Sequence, residues 1–276
     1  MKKRIQRIVC LFLSLWLLGL TACQQKEPEE PLPVPAPEGT IPCSPEEAKT
    51  GVAAAMEPGK VYTYTDGYLF DVTQLNHVNM TLHFVERLGS FLDWVAGAAQ
   101  SPDSFIAVVT ITGFTRQAKL SSIITGCNSV MAITPVRVER ILKTCPDMSF
   151  CEGEEILLNH VPVAVKNYGE WLEDGTYKEE SQVYEFATSS YETPYEIIDA
   201  FRYQHTYIVI AYPREGGAYM NIATLGIYDI VSDEDFETYA QELQTKIMEG
   251  GIYWATKIRK WYKENFGDVI QEYLKK

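Results

Sequence analysis

The sequence predicts an α+β protein in which antiparallel strands precede two C-terminal helices. Asp66-Gly67 separates two β-prone runs, residues 61–65 and 68–72, and favours a two-residue hairpin because both turn positions need positive φ. Between residues 101 and 230 the apolar runs have the length and composition of strands. From residue 231 onward, apolar residues recur at helical spacing instead.

The first 23 residues predict export and lipid attachment. A basic head is followed by an apolar run from residue 8 to residue 20, which is too short to span a bilayer and has the build of a secretory signal. The segment ends in Leu20-Thr21-Ala22-Cys23, which resembles the lipobox of bacterial lipoprotein signal peptides. The resemblance implies cleavage before Cys23 and a diacylglyceryl thioether on Cys23. The mature protein would then be extracytoplasmic and anchored by lipid to a bacterial cell membrane.

Residues 23–45 predict a spacer between this anchor and a folded domain. Half of the chain's prolines lie here, mixed with glutamates, and such a segment is expected to hold neither a helix nor a sheet ladder. In extended form it would span roughly 60 Å. The predicted division is a signal peptide (1–22), a Pro/Glu-rich tether (23–45), an N-terminal hairpin and helix extension (46–100), a β domain (101–230) and C-terminal helices (231–276).

The β domain is predicted to contain five strands. Residues 105–113 form a buried strand that ends in a glycine bend, residues 130–142 a strand broken by Pro135, and residues 155–159 a third strand. A polar, acidic loop from residue 167 to residue 192 follows. Residues 205–212 and 218–223 then form a hairpin.

Five strands in this order look like the Greek-key barrel called the OB-fold. The phrases at residues 107–113, 136–143 and 152–156 resemble those of secreted bacterial domains of this type and, distantly, netrin-like domains that include the tissue inhibitors of metalloproteinases. The resemblance implies an OB-like β-barrel. The inhibitors' free N-terminal cysteine has no counterpart, so protease inhibition is not implied.

Four helices are predicted outside these strands. Ser44-Pro45-Glu46-Glu47 starts a short helix, and Ser90 with Asp93 forms a capping box for a helix that ends before Pro102. Ser232 with Asp235 starts the first C-terminal helix, and a second helix carries an aromatic stripe that should pack on the β domain with its lysines in solvent. The run at residues 78–84 fits a strand, although a helix over residues 81–88 remains an alternative.

Four cysteines remain after cleavage and lipid attachment. Cys145 and Cys151 flank a loop-like stretch of five residues and are the favoured disulfide pair, in which case Cys43 and Cys127 would pair as well. Four free thiols are the alternative.

Charge and motifs exclude several functions. Loss of the signal peptide leaves 20 basic residues against 37 acidic residues, a formal charge of −17, which argues against nucleic acid and anionic polymers as partners. No standard hydrolase, phosphate-binding or calcium-binding motif is present. The four histidines are scattered, so the sequence predicts no metal site and no cofactor.

Tyrosines supply the candidate binding surface. Tyr62 and Tyr64 lie in the first hairpin, and Tyr207 and Tyr219 lie in the last one. Exposed on one face, they would suit a glycan or a protein, because tyrosine combines an apolar ring with a polar tip. Strand tyrosines also complete the outer faces of sheets, and this alternative stays open.

The sequence therefore predicts a lipid-anchored cell-envelope protein that acts as a binding or interaction module for an unidentified envelope protein or glycan. One alternative is a hydrolase of envelope glycan or peptide that uses carboxylates, for which many acidic residues but no motif are available. The other is the substrate-binding lipoprotein of a transporter. The repeated strand-helix units that build two α/β lobes are missing from the pattern, which disfavours that alternative.

Overall fold

In the computed structural model of the protein, the chain divides into Met1–Ala36 and Pro37–Lys276. The structure describes residues 40–65, 67–71, 91–121, 128–160, 163–166, 169–171, 177–179, 184–187, 201–213, 220–244 and 251–276. The predicted signal peptide, Cys23, residues 24–39 of the predicted tether and the ambiguous run at residues 78–84 lie outside the described residues.

In the described part of the chain, helices and strands are mixed up to Gln100, and a run of strands followed by two helices makes up the rest. The helices are α1 (Pro45–Thr50), α2 (Phe91–Gln100), α3 (Asp233–Gln244) and α4 (Gly251–Tyr273). The strands are β1 (Thr40–Pro42), β2 (Tyr62–Thr65), β3 (Tyr68–Asp71), β4 (Phe105–Ile111), β5 (Thr115–Ser121), β6 (Asn128–Lys143), β7 (Glu155–His160), β8 (Val163–Lys166), β9 (Gly169–Trp171), β10 (Tyr177–Glu179), β11 (Tyr184–Ala187), β12 (Thr206–Pro213) and β13 (Met220–Asp229).

Nine of these strands form one sheet in the order β1-β3-β2-β5-β6-β4-β12-β13-β7. All neighbours are antiparallel except the pairs β2–β5 and β7–β13. Strand β7 also pairs with β6, antiparallel. Two smaller antiparallel ladders join β9 to β10 and β8 to β11. The predicted α+β class with a mainly antiparallel sheet is confirmed.

Strand β4 lies inside the sheet and buries both of its faces. Ile106 and Val108 belong to one apolar cluster, whereas Ala107 and Val109 on the opposite face belong to a second cluster. Strand β12 divides its side chains between the same clusters: Ile208 and Ile210 on one face, and Tyr207, Val209 and Ala211 on the other. Burial on both faces explains why these strands read as continuous apolar runs rather than as alternating ones.

Different secondary-structure elements pack over the two clusters. Residues of α2, α3 and α4 close the first cluster, including Val95, Phe236 and Tyr262. Residues of β6, β7 and β13 close the second, including Val138 and Leu158. Each fully buried apolar side chain of this size contributes roughly 1.5–3 kcal/mol to folding. The helices therefore pack against one face of β4 and β12, and β6, β7 and β13 contribute to the core on the other face.

Both predicted hairpins are confirmed. In the first, Thr65 lies opposite Tyr68, as a two-residue turn requires, and Gly67 has φ +87°. The second joins β12 to β13, which runs six residues beyond the predicted end and stops at Asp229.

Three strand predictions were wrong. Strand β6 is not broken at Pro135, because its antiparallel partner changes from β5 to β4 around this residue and no ladder bond from its nitrogen is needed. The predicted acidic loop contains the strands β9, β10 and β11. The predicted tether ends too late, since Thr40–Pro42 pairs with β3 at the edge of the sheet, where proline is tolerated.

The helix starts follow the predicted caps. The Ser44 hydroxyl accepts a hydrogen bond from the Glu47 amide at 3.3 Å, and the Ser44 amide donates to the Glu47 carboxylate at 2.9 Å. The Ser232 hydroxyl accepts from the Asp235 amide at 3.0 Å. The start predicted at Ser90 lies outside the described residues, but α2 ends before Pro102 as predicted.

The aromatic stripe of α4 packs on the β domain as predicted. Ile258, Tyr262 and Ile270 are buried in the first cluster, and the helix bends at Phe266, where φ is −132°. Arg259, which lies between Lys257 and Lys260 on this helix, is only 3% exposed. No helix in the described part of the chain is both long and apolar enough to cross a membrane.

Candidate functional site

Three titratable side chains meet where β12 begins and β13 ends. Arg202, His205 and Asp229 form this group, here called the Arg-His-Asp cluster. The Arg202 Nε donates to Asp229 Oδ2 at 2.8 Å, and its Nη2 donates to the same oxygen. The His205 Nδ1 lies 3.2 Å from both carboxylate oxygens. One buried carboxylate thus binds a guanidinium and an imidazole together.

Asp229 is an anion inside the protein. Its side chain is 1% exposed, and burial by itself would raise the pKa of the carboxyl group. Arg202 and His205 outweigh that effect, so the pKa of Asp229 lies below its usual value. The Asp229 charge in turn raises the pKa of Arg202 against the effect of burial. The pair is therefore charged throughout the neutral range.

A tight turn brings Arg202 and His205 to the same carboxylate. The His205 amide donates to the Arg202 carbonyl at 3.1 Å, and Gln204 between them has φ +62°, a left-handed conformation that is uncommon for residues other than glycine. The Arg202 amide donates to the Tyr207 hydroxyl at 2.7 Å. Burial, followed by the Asp229 charge, raises the pKa of Tyr207, so the hydroxyl stays protonated.

A second arginine fixes the end of β13 from the other side. The Arg259 Nη1 donates to the Asp229 carbonyl and its Nη2 to the Val231 carbonyl, both at 3.0 Å. The guanidinium also lies 4.2 Å from the ring centre of Phe236. Arg259 thereby joins α4 to the segment between β13 and α3, and it holds Asp229 in place through the main chain.

The cluster borders a cavity of about 470 Å³. Its lining comes from three parts of the chain: residues 58–60, the turn with Arg202 and His205, and residues Val231, Asp235, Thr238 and Tyr239. Main-chain hydrogen bonds attach the first part to the second, from the Gly59 amide to the Tyr203 carbonyl at 2.9 Å and from the Tyr203 amide to the Lys60 carbonyl at 2.8 Å. The cavity walls are therefore positioned by the fold.

The predicted tyrosine surface does not form as expected. Tyr62 is 5% exposed and accepts a hydrogen bond from the Glu57 amide at 3.2 Å, and Tyr207 is fully buried. Tyr64 is half-buried and stacks on Phe114. Tyr219 lies outside the described residues. Tyr62 and Tyr207 complete the packing because both hydroxyls find main-chain partners, so neither belongs to an exposed binding face.

The predicted disulfide between Cys145 and Cys151 is not present in the structure, where both are free thiols. Cys145 packs against the second apolar cluster, whereas Cys151 is exposed in a turn whose amide bonds to Glu154 at 2.9 Å. Cys43 is also a free thiol and is buried, and its proposed partner Cys127 lies outside the described residues. Burial is the main cause that raises the pKa of Cys43 and of Cys145.

The acidic run at residues 152–155 serves local structure. Glu152 accepts from the Ile141 amide at 2.8 Å, Glu154 from the Cys151 amide, and Glu155 from the Thr112 hydroxyl at 2.9 Å. Among the described residues no three His, Cys, Asp or Glu side chains lie close enough to hold a metal ion. The described carboxylates of this run thus bind the chain itself.

No protein-family profile matches the chain, and no curated protein matches it.

Sequence reasoning missed the Arg-His-Asp cluster, because it treated the four histidines as scattered and did not connect His205 to Asp229. The ladder between β12 and β13 shifts between Val209 and Ala211, and the shift places Asp229 opposite Tyr207. A regular ladder continued from Ala211 and Ile222 would place Gly226 there instead. The only usable signal was an aspartate at the end of a β-rich run, followed by the capping box at Ser232.

Proposed function

We propose that this protein is a lipid-anchored protein of a bacterial cell envelope whose folded domain binds a small polar ligand in the cavity beside the Arg-His-Asp cluster. The cavity is the observation that carries the binding part of this proposal. It lies beside polar groups that are held rigidly, and it has the size of a small-molecule site. The anchor depends on the lipobox resemblance at Leu20–Cys23.

The five strands β4, β6, β7, β12 and β13 build an OB-like barrel within this domain. The pairings support it, because β4 pairs with β6, β6 with β7, β7 with β13, β13 with β12 and β12 with β4. All five strands also contribute to the second apolar cluster. Closure depends on the short parallel pair Leu158–Met220 and Asn159–Asn221. Nuclear Overhauser contacts between these main-chain segments test it, and their absence would mean an open sheet.

Fractionation of cells tests the anchor. Cys23→Ala should release the protein from membranes and abolish labelling by radioactive palmitate. Cys10→Ala, in the same N-terminal segment, serves as the matched control and should leave both unchanged. Retention of the Cys23→Ala protein in the membrane fraction would contradict the proposed lipid attachment.

Histidine spectroscopy tests the binding site. The chain contains only four histidines, so ring ¹⁵N labelling gives few signals, and His205→Gln identifies the one beside the cavity. A panel of amino acids, sugars, muropeptides, amines and simple anions should contain compounds that shift the His205 signals saturably and leave the other three unchanged. A panel without any such compound would refute the cavity as the binding site.

A further inference from the structure

The cavity beside the Arg-His-Asp cluster is lined by a hydrogen-bond donor that the described residues leave unused. Arg202 is 7% exposed, and its Nε and Nη2 bind Asp229, but its Nη1 makes no hydrogen bond to the described residues. Arg202 lines the cavity, so its remaining donors are available to a ligand there.

His205 adds a second group at the same wall. Its Nδ1 is engaged by Asp229, which leaves Nε2 as the ring atom without a partner in the described part of the chain. A Cβ atom built on Gly59 would lie 3.4 Å from Nε2, and Gly59 itself lines the cavity. The Nε2 atom therefore lies beside the cavity, within reach of a ligand bound there.

Lys60 is the third basic residue at this wall. Its ammonium forms a half-exposed pair with Asp71 at 3.7 Å, a type of ion pair that contributes little and is readily shared with a ligand. The single acidic side chain of the lining, Asp235, accepts a hydrogen bond from the Ser232 hydroxyl at 2.6 Å. The lining thus contains the Arg202 guanidinium, the His205 ring, the weakly paired Lys60 ammonium and one carboxylate that is already hydrogen-bonded. The buried Asp229 carboxylate beside them balances the charge of Arg202.

We infer that the ligand is a small molecule with an anionic oxygen group, a carboxylate or a phosphate, bound by Arg202, His205 and Lys60. The inference rests on the proposed function, since it names the ligand class of the same cavity. The mature charge of −17 opposes the approach of anions, but this field is screened over about 8 Å at physiological ionic strength. Within the cavity, the nearby donors decide which ligand binds.

Titration of the full chain in mild detergent with inorganic phosphate and with acetate tests this inference at constant ionic strength. Either anion should shift the His205 ring signals saturably, and the tighter of the two defines the class. By calorimetry, Lys60→Gln should weaken binding about tenfold, the effect of losing one charge-assisted hydrogen bond. Lys260→Gln, an exposed lysine paired with Glu264, is the matched control and should change nothing.

The outcomes separate this inference from the proposed function. If neutral sugars or amines shift the His205 signals and neither anion does, the anion inference is wrong while the binding site stands. If Lys260→Gln weakens anion binding as much as Lys60→Gln does, the effect is general electrostatics, and the inference is again wrong. If no compound of any class shifts His205, the proposed function fails as well. Equal thermal midpoints of the two lysine variants show that both are folded.

Discussion

Replacement of Asp229 by Asn tests whether the Arg-His-Asp cluster holds the fold together. The amide keeps the shape of the side chain but removes the charge, so Arg202 remains buried at 7% exposure without a counterion. Loss of one partner from a buried ion pair costs about 3–5 kcal/mol, because the other charge remains desolvated. We expect a loss at the upper end of that range, since the hydrogen bond with His205 weakens too.

Urea denaturation of the full chain in a mild detergent, followed by tryptophan fluorescence, measures this loss. The matched control is Glu264→Gln, whose carboxylate is 62% exposed and pairs with Lys260. An exposed pair of this kind is worth at most about 1 kcal/mol. A loss for Asp229→Asn no larger than that for Glu264→Gln would refute the reasoning.

The pH dependence of stability gives an independent check. Burial raises the pKa of Asp229, but Arg202 and His205 lower it more, so the folded pKa lies below the unfolded value of about 3.9. The carboxylate therefore stabilises the fold above about pH 4, and this contribution disappears as the pH falls through the folded pKa. Between neutral pH and pH 3, the wild type should lose more stability than Asp229→Asn. Parallel curves for the two proteins would contradict this assignment.

Three further predictions concern the packing, the thiols and the first helix. Gly113→Ala should lower the stability by roughly 1–3 kcal/mol, because its Cβ would lie 2.4 Å from the Gly51 carbonyl oxygen. Gly97→Ala in the interior of α2, where a Cβ would have nothing within 4 Å, should raise the stability by up to about 1 kcal/mol, and thermal midpoints compare the two variants. Cys151 should react with maleimide before Cys145 and well before buried Cys43, as peptide mapping by mass spectrometry would show. Equal reaction rates would contradict the burial of Cys43 and the exposure of Cys151 in the structure. Ser44→Ala should cost about 1 kcal/mol in urea denaturation, since it removes one half of the capping box at α1, and an unchanged midpoint would count against that cap.

The parts of the fold that local chemistry determines could be predicted from the sequence. The Asp66-Gly67 turn, the cap at Ser232 and the β4 strand each depend on residues within a few positions of one another. The wrong strand predictions resulted from pairing between strands that are distant in the sequence. Thr40–Pro42 became a strand because β3 offered an edge, and Pro135 fits into β6 because the neighbouring strand changes there. Neither circumstance is visible in the local sequence.

The site depends on a similar long-range effect. Its lining residues are spread from Pro58 to Tyr239, and a ladder irregularity near Val209 aligns Asp229 with the turn at Arg202. The distribution of tyrosines, by contrast, predicted an exposed binding surface, but Tyr62 and Tyr207 are buried. The hydroxyls of Tyr62 and Tyr207 accept hydrogen bonds from main-chain amides, so burial of these rings leaves no polar group unsatisfied. Composition alone therefore could not separate an exposed tyrosine from a buried one.

The way in which the cluster is supported bears on how a ligand would bind. Arg202 is held by Asp229 and lies 4.2 Å from the ring centre of Tyr239, and Asp229 is held in turn by Arg259 through its carbonyl. These contacts exist before any ligand arrives, so the guanidinium loses little side-chain freedom on binding. Lys60 is the opposite case, since it is half-exposed and must be ordered. For the proposed anion, the buried arginine would therefore supply most of the affinity, and Lys60 the part that salt most readily weakens.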